Sequence, residues 1–347
     1  MIRVLVADDS ATARRLLREI LEMDGDLRVV AEAHDGAEAV ELVERERPDI
    51  VIMDVHMPVA DGLEATKQIM MRAPTPIIVV SAVNREDVDL SLSATQAGAL
   101  MALPKPGSVT APAFPARAAE LRAMTRAMAQ VKVVRRWASI AGEKPPARPR
   151  RAPRARAELV AIAASTGGPP ALRQILATLS PDLPAPVLIV QHIARDFTAG
   201  FASWLAPICG LPVKLAEDGE LLRDGVVYIA PDDRHLGVTR DRRAILANVA
   251  PIEGFRPSAT YLFESAGRAL GSRLLAVILT GMGTDGADGL VVARNAGAYV
   301  IAQNGVSSVV YGMAAEAVRR GAVDIELPLA EIGRRIVDLV RRRDHGE

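Results

Sequence analysis

The chain has 347 residues, half of them apolar and 24% charged, with 42 basic side chains against 42 acidic ones and no net charge. That length suits two domains of ordinary size, and that balance suits a folded soluble protein with no global attraction to nucleic acid or a membrane surface. Aromatics make up only 3%, so the cores must be aliphatic, and the lone cysteine, Cys209, excludes an internal disulfide framework.

The first residues are apolar but stop at once on Asp8 and Asp9. That is too short for a signal peptide, and no apolar run approaches the ~18–20 residues of a membrane span. The expectation is a cytoplasmic chain without membrane insertion, in which Cys209 is a small buried side chain. Short β-branched runs at 3–7, 29–33, 50–53, 76–80 and 100–103 read as strands, separated by segments with apolar residues at helical spacing, such as Leu16, Leu17, Ile20 and Leu21. Apolar strands alternating with helices imply an α/β domain with a parallel sheet covered on both faces.

A helical pattern follows over 114–137, and then the composition breaks: residues 143–156 are rich in Pro and Arg and almost without apolar bulk. Such a stretch reads as an extended, solvated linker. Strand–helix alternation restarts at Glu158, with strands expected at 159–164, 187–191, 213–216, 226–230, 274–280 and 299–302. The expected organisation is a first domain over 1–122, a helical extension and linker over 123–157, and a second α/β domain over 158–343. Both are read as doubly wound parallel sheets.

Asp8 and Asp9 follow the first strand, and Asp54 follows the third. The C-terminal ends of strands in a doubly wound sheet meet in one crevice, so the three carboxylates converge there. Three acids in one pocket call for a cation, and hard oxygen ligands suit Mg²⁺. Ser81 and Lys105 end two further strands over the same crevice. A hydroxyl, an ammonium and a metal-bound carboxylate make a site for phosphoryl transfer to Asp54. Asp8-Asp9, Met53-Asp54, Met57-Pro58, Asp61-Gly62, Ser81-Ala82 and Lys105-Pro106 resemble the signature of response-regulator receiver domains. The resemblance implies phosphorylation of Asp54 by a partner histidine kinase, with Ser81 and Lys105 holding the phosphate. One departure stands out: Ala102 occupies the position, three residues before the lysine, where receivers usually carry a switching aromatic.

In the second domain, Ser165 stands in Ala164-Ser165-Thr166-Gly167-Gly168, between a strand and a helical run. Such a loop either binds phosphate on helix N-terminal amides or presents a nucleophile beside an oxyanion hole. His192 ends the next strand and Asp285 follows the strand at 274–280. Hydroxyl, imidazole and carboxylate at the strand ends of one parallel sheet fit a nucleophile, base and orienter. His235 is a rival base and Asp288 a rival carboxylate. His34, His56 and His345 share no metal-binding spacing.

The motifs around Ser165, with Gln191-His192, Glu217-Asp218-Gly219-Glu220, Tyr228-Ile229-Ala230-Pro231, Arg256-Pro257-Ser258 and the segment from Leu279 to Gly286, resemble the chemotaxis methylesterases of the CheB family. Together with the receiver, the likeness covers nearly the whole chain. It implies that Ser165 is the nucleophile, His192 the base and Asp285 the orienter, with the N–H groups of Thr166 and Met282 as oxyanion donors and no cofactor for the esterase reaction. It implies a monomeric enzyme, activated by phosphorylation, that removes methyl groups from glutamyl esters of chemoreceptors and deamidates receptor glutamines. The alternative is a non-catalytic regulator that binds an anion or partner at the Ser165 loop. Thr260 and Ala314 depart from the family's usual Asp and Pro, which bears on substrate fit.

Overall fold

The structure, a computed structural model, describes residues 1–131, 133, 151–153 and 155–342. The chain divides into two compact units, Met1–Glu143 and Lys144–Glu347. No helix among the described residues is long and apolar enough to cross a membrane.

The first unit runs β1 (Ile2–Ala7), α1 (Ala11–Glu22), β2 (Leu27–Ala33), α2 (Gly36–Glu46), β3 (Ile50–Asp54), α3 (Gly62–Arg72), β4 (Ile77–Ser81), α4 (Arg85–Ala97), β5 (Met101–Pro104) and α5 (Phe114–Met128). Its sheet has the order β2-β1-β3-β4-β5, and every pairing is parallel. The central strands are apolar throughout because both faces are covered: Ile50, Val51, Ile52 and Met53 are fully buried. Four helices start where the sequence supplies a cap. Ser10, Asp35, Asp61 and Asn84 each accept the N–H three residues on. Strand order reverses between β1 and β3, which opens a crevice above their C-terminal ends.

The second unit runs β6 (Leu159–Ala164), α6 (Gly168–Leu176), β7 (Val187–Gln191), α7 (Thr198–Leu205), β8 (Val213–Leu215), β9 (Val227–Ile229), β10 (His235–Val238), β11 (Ala244–Ala247), α8 (Ala259–Leu270), β12 (Leu274–Ile278), α9 (Ala287–Asn295), β13 (Tyr299–Gln303), α10 (Met313–Arg319), β14 (Ile325–Leu327) and α11 (Leu329–Arg341). Its parallel sheet has the order β14-β13-β12-β6-β7-β9-β8, while β10 and β11 form a separate antiparallel hairpin. The order reverses between β6 and β12, so the loops after β6, β7 and β12 surround the switch point.

Both units are therefore doubly wound α/β layers, as the alternation of patterns predicts. Three features differ from the sequence reading. The helix expected over 114–137 ends at Met128, and Trp137 lies outside the described residues. The hairpin and β14 lie outside the strands expected from the sequence. The expected solvated linker over 143–156 falls largely outside the described residues, but Arg151 departs from it. Its guanidinium donates to the Ala298 carbonyl and, at 3.1 Å, to the carboxylate of Asp324, which is fully buried. Pro153 accepts from Arg342, and the Ala157 N–H donates to the Leu339 carbonyl. A buried carboxylate needs donors, and an arginine fork supplies them at the edge of an otherwise polar stretch. Arg341, exposed at the end of α11, pairs with Asp182 at 2.6 Å; Arg343 lies outside the described residues.

Candidate phosphoacceptor and active sites

In the first unit, β1 and β3 deliver Asp8 and Asp54 to the crevice, buried to 0% and 3% exposure, with Asp9 exposed at its rim. Oxygens from all three lie within 4.8 Å of one another. Lys105, after β5, reaches in with its Nζ 2.7 Å from Asp54 and 2.8 Å from Asp8. Burial is the largest influence on the Asp54 carboxyl and, with the Asp8 charge, pushes its pKa up despite Lys105. Burial opposes the Lys105 charge, but its bonds to Asp54 and Asp8 outweigh that and raise its pKa. An all-oxygen cluster with excess negative charge fits Mg²⁺ by donor chemistry. Ser81 is fully buried at the end of β4, where it accepts a 2.8 Å hydrogen bond from Ser91 of α4. Ala102 is packed in β5 opposite Val79.

In the second unit, Ser165 and His192 each follow the last residue of a strand, and those last residues, Ala164 and Gln191, are register partners. The two side chains therefore start from adjacent strands about 5 Å apart. The turn carrying Ser165 is held by its own backbone: Ser165 N–H donates to Thr280 O at 3.0 Å, and Gly168 N–H donates to Ser165 O at 2.7 Å. Gly281 lies against it, and a Cβ there would come within 2.7 Å of the Ser165 Cβ.

His192 Nε2 is 2.8 Å from Asp285 Oδ2. Its Nδ1 is buried and has no hydrogen-bond partner among the described residues, Ser165 Oγ included. The Phe255 ring stacks on the imidazole, 4.0 Å away and 7° from parallel. Asp285, 1% exposed, sits on the N-terminus of α8. It accepts from Ser258 Oγ at 2.7 Å, Ala259 N–H at 2.7 Å and Thr260 N–H at 3.0 Å. Burial would raise this carboxyl's pKa, but His192, Ser258 and the Thr260 N–H outweigh it and bring it down to about 2. The N-terminal turn of a helix is a natural anion seat, so Asp285 stays charged where it can orient an imidazole. Thr260 also accepts the Gly286 N–H at 2.8 Å, bracing the loop that presents Asp285.

The two oxyanion candidates flank this site. Neither the Thr166 nor the Met282 N–H is engaged within the described residues, whereas their surroundings are fixed: Thr280 Oγ1 donates to Thr166 O at 2.9 Å. The rivals are committed elsewhere. His235 is fully buried, accepts Ser258 N–H on Nδ1 at 3.2 Å and turns Nε2 to Ala250 O. Asp288, on α9, pairs with Arg320. Of the other histidines, His34 pairs with Asp35 and Glu38, and His56 with Asp87, while His345 lies outside the described residues. Cys209 is buried, which raises its thiol pKa. Sequence reasoning missed Gln191, Phe255 and the orienting role of Ser258. The signals were present in part: Gln191 adjoins His192, and Ser258 belongs to the Arg-Pro-Ser motif.

Comparison with known proteins finds relatives of both units. The CheB methylesterase family model matches residues 160–336, and the response regulator receiver domain model matches residues 4–111. A Myxococcus xanthus relative named protein-glutamate methylesterase/protein-glutamine glutaminase 4 is 49% identical over 346 residues, covering 98% of this chain and 97% of that one. An Anaeromyxobacter dehalogenans relative of the same name, numbered 3, is also 49% identical, covering 99% and 100%. The crystal structure of the Thermotoga maritima CheB methylesterase catalytic domain superimposes with a TM-score of 0.51 at 37% identity, covering 53% of this chain and 99% of that one. With matches that run through both units and both sites, the chain belongs to the CheB methylesterase family, in the form that carries an N-terminal response-regulator receiver domain.

Proposed function

We propose that the chain is a phosphorylation-activated hydrolase that demethylates glutamyl methyl esters of chemoreceptors and deamidates receptor glutamines, giving adaptation in a chemosensory two-component pathway. The observation that carries the reading is the His192–Asp285 hydrogen bond of 2.8 Å beside Ser165 on the neighbouring strand. Ser165 Oγ attacks the γ-carbonyl carbon and His192 takes its proton. Because Nε2 faces Asp285, the accepting atom is Nδ1, the reverse of the arrangement in which Nδ1 faces the carboxylate. The bond from Ser165 Oγ to Nδ1 forms as substrate seats, since such bonds are often loose in the empty enzyme.

The tetrahedral oxyanion lies against the Thr166 and Met282 N–H groups. His192 returns the proton to the leaving methanol, or to ammonia when the substrate is a glutamine. Water, activated by the same imidazole, then hydrolyses the acyl-enzyme to glutamate. No cofactor enters this reaction.

In the receiver, Asp54 is the phosphoacceptor for a histidine kinase. Asp8, Asp9 and Asp54 would hold Mg²⁺, which would supply charge to offset the phosphoryl group. Lys105 and Ser81 would bind the phosphoryl oxygens, and Ser81 would give up its bond with Ser91 to do so. The enzyme is read as a cytoplasmic monomer. Methanol release from methylated receptors, with and without a phosphodonor, tests the activity and its control. Ser165→Ala is expected to lose on the order of 10⁴–10⁶ in rate while Asp54 phosphorylation persists. Ester hydrolysis retained in that variant would overturn the assignment.

A further inference from the structure

We propose that Gln191 is a positioning residue that locks the Ser165–Thr166 peptide and so aims the Thr166 N–H as an oxyanion donor; this rests on Ser165 being the nucleophile. Gln191 is the last residue of β7, is 5% exposed and lies in register with Ala164. Its Nε2 donates to two carbonyls, that of Ser165 at 2.9 Å and that of His192 at 2.8 Å. A carboxamide has two N–H bonds. Here one holds the residue proposed as nucleophile and the other holds the residue proposed as base.

Peptide geometry turns this clamp into a functional constraint. In a planar trans peptide the C=O of one residue and the N–H of the next point in opposite directions. With the Ser165 carbonyl gripped by Gln191 and by the Gly168 N–H, the Thr166 N–H is held pointing away from Gln191. It is not engaged by any acceptor within the described residues. The following carbonyl, of Thr166, is fixed by Thr280 Oγ1. The peptides on either side of Thr166 are thus both pinned, leaving its N–H as a preorganised donor.

The orientation of the carboxamide is compelled. Rotating it by half a turn would face Oε1 against two carbonyl oxygens, so Nε2 must point at them. In consequence Oε1 is buried without a hydrogen-bond partner. It abuts Gly168, where an added Cβ would collide with it. If the residue only filled space, a methionine of the same reach would serve without leaving a polar atom unsatisfied. The two donors are what the site uses.

The test compares Gln191→Met and Gln191→Glu in the full chain, with turnover normalised to sites titrated by a serine-directed phosphonate. Methionine removes both donors, and glutamate removes at least one of the two. Each is expected to lower kcat for methanol release by about 10–100-fold, part of the ~10²–10³ that deleting an oxyanion donor costs, with KM within about threefold of the parent value. Gly168→Ala, which displaces the carboxamide without altering it, is expected to act in the same direction and keeps the test open should a Gln191 variant not fold. Parental kcat per titrated site in either Gln191 variant, or a loss confined to KM, would overturn the proposal. Ser165→Ala run in the same assay separates the two levels. If it is inactive while Gln191 variants are normal, only the positioning role fails; if it is active, the nucleophile assignment fails with it.

Discussion

Asp285 shows at the scale of a single residue how the site is built. Its carboxylate has four hydrogen-bond partners, His192, Ser258, Ala259 and Thr260, and its pKa is held at about 2 against an ordinary value of 3.8. As pH falls, the unfolded chain takes up this proton before the folded one. The stabilisation from Asp285 is therefore full above about pH 4 and is lost as pH drops through about 2. Asp285→Asn is expected to be less stable at neutral pH and to show a flatter loss of stability across that window, measured by denaturant unfolding of both proteins. It is also expected to lower kcat by roughly 10⁴, because the amide no longer orients or stabilises the imidazolium. Unchanged acid dependence in the variant would contradict the coupling of Asp285 to α8 and His192.

At the scale of elements, most of this was legible in the sequence, for a physical reason. Parallel strands buried on both faces read as unbroken apolar runs, so the ends of β1, β3, β4, β6, β7 and β12 could be placed, and doubly wound sheets gather strand ends into one crevice. By that route Asp8, Asp54, Ser81, Ser165, His192 and Asp285 could be placed beside those strand ends. What could not be read is what distant backbone groups do. The seat for Asp285 is the first turn of α8, and nothing in the spacing of Ser258 and Asp285 announces that Ala259 and Thr260 turn their N–H groups to it. The clamp of Gln191 on two carbonyls is hidden for the same reason, as is the choice of Nε2 over Nδ1 on His192. Thr260, which stood out as a departure, donates its N–H to Asp285, and its hydroxyl accepts the Gly286 N–H.

At the scale of the whole molecule, two units on one chain put a hydrolase under the control of a receiver. Deleting residues 1–150 is expected to abolish the dependence of methanol release on a phosphodonor, because Asp54 is lost with them. Where the cut falls also matters. Arg151 and Arg294 share the buried Asp324. A fragment starting at Arg151 keeps both, whereas one starting at Glu158 strips one guanidinium from a buried carboxylate. The shorter fragment is expected to be less stable by about 1–3 kcal/mol in denaturant titration. Equal stability would show that the Arg151 contact contributes nothing.

The catalytic expectations depend on a serine made nucleophilic by the His192 imidazole. The most direct measurement is covalent labelling with a phosphonylating reagent, mapped by peptide mass in the parent chain and in His192→Ala. The account predicts one phosphonyl group per chain, on Ser165, and labelling slowed by orders of magnitude without His192. A reagent that leaves Ser165 unmodified, or that labels it equally fast when His192 is gone, would contradict it.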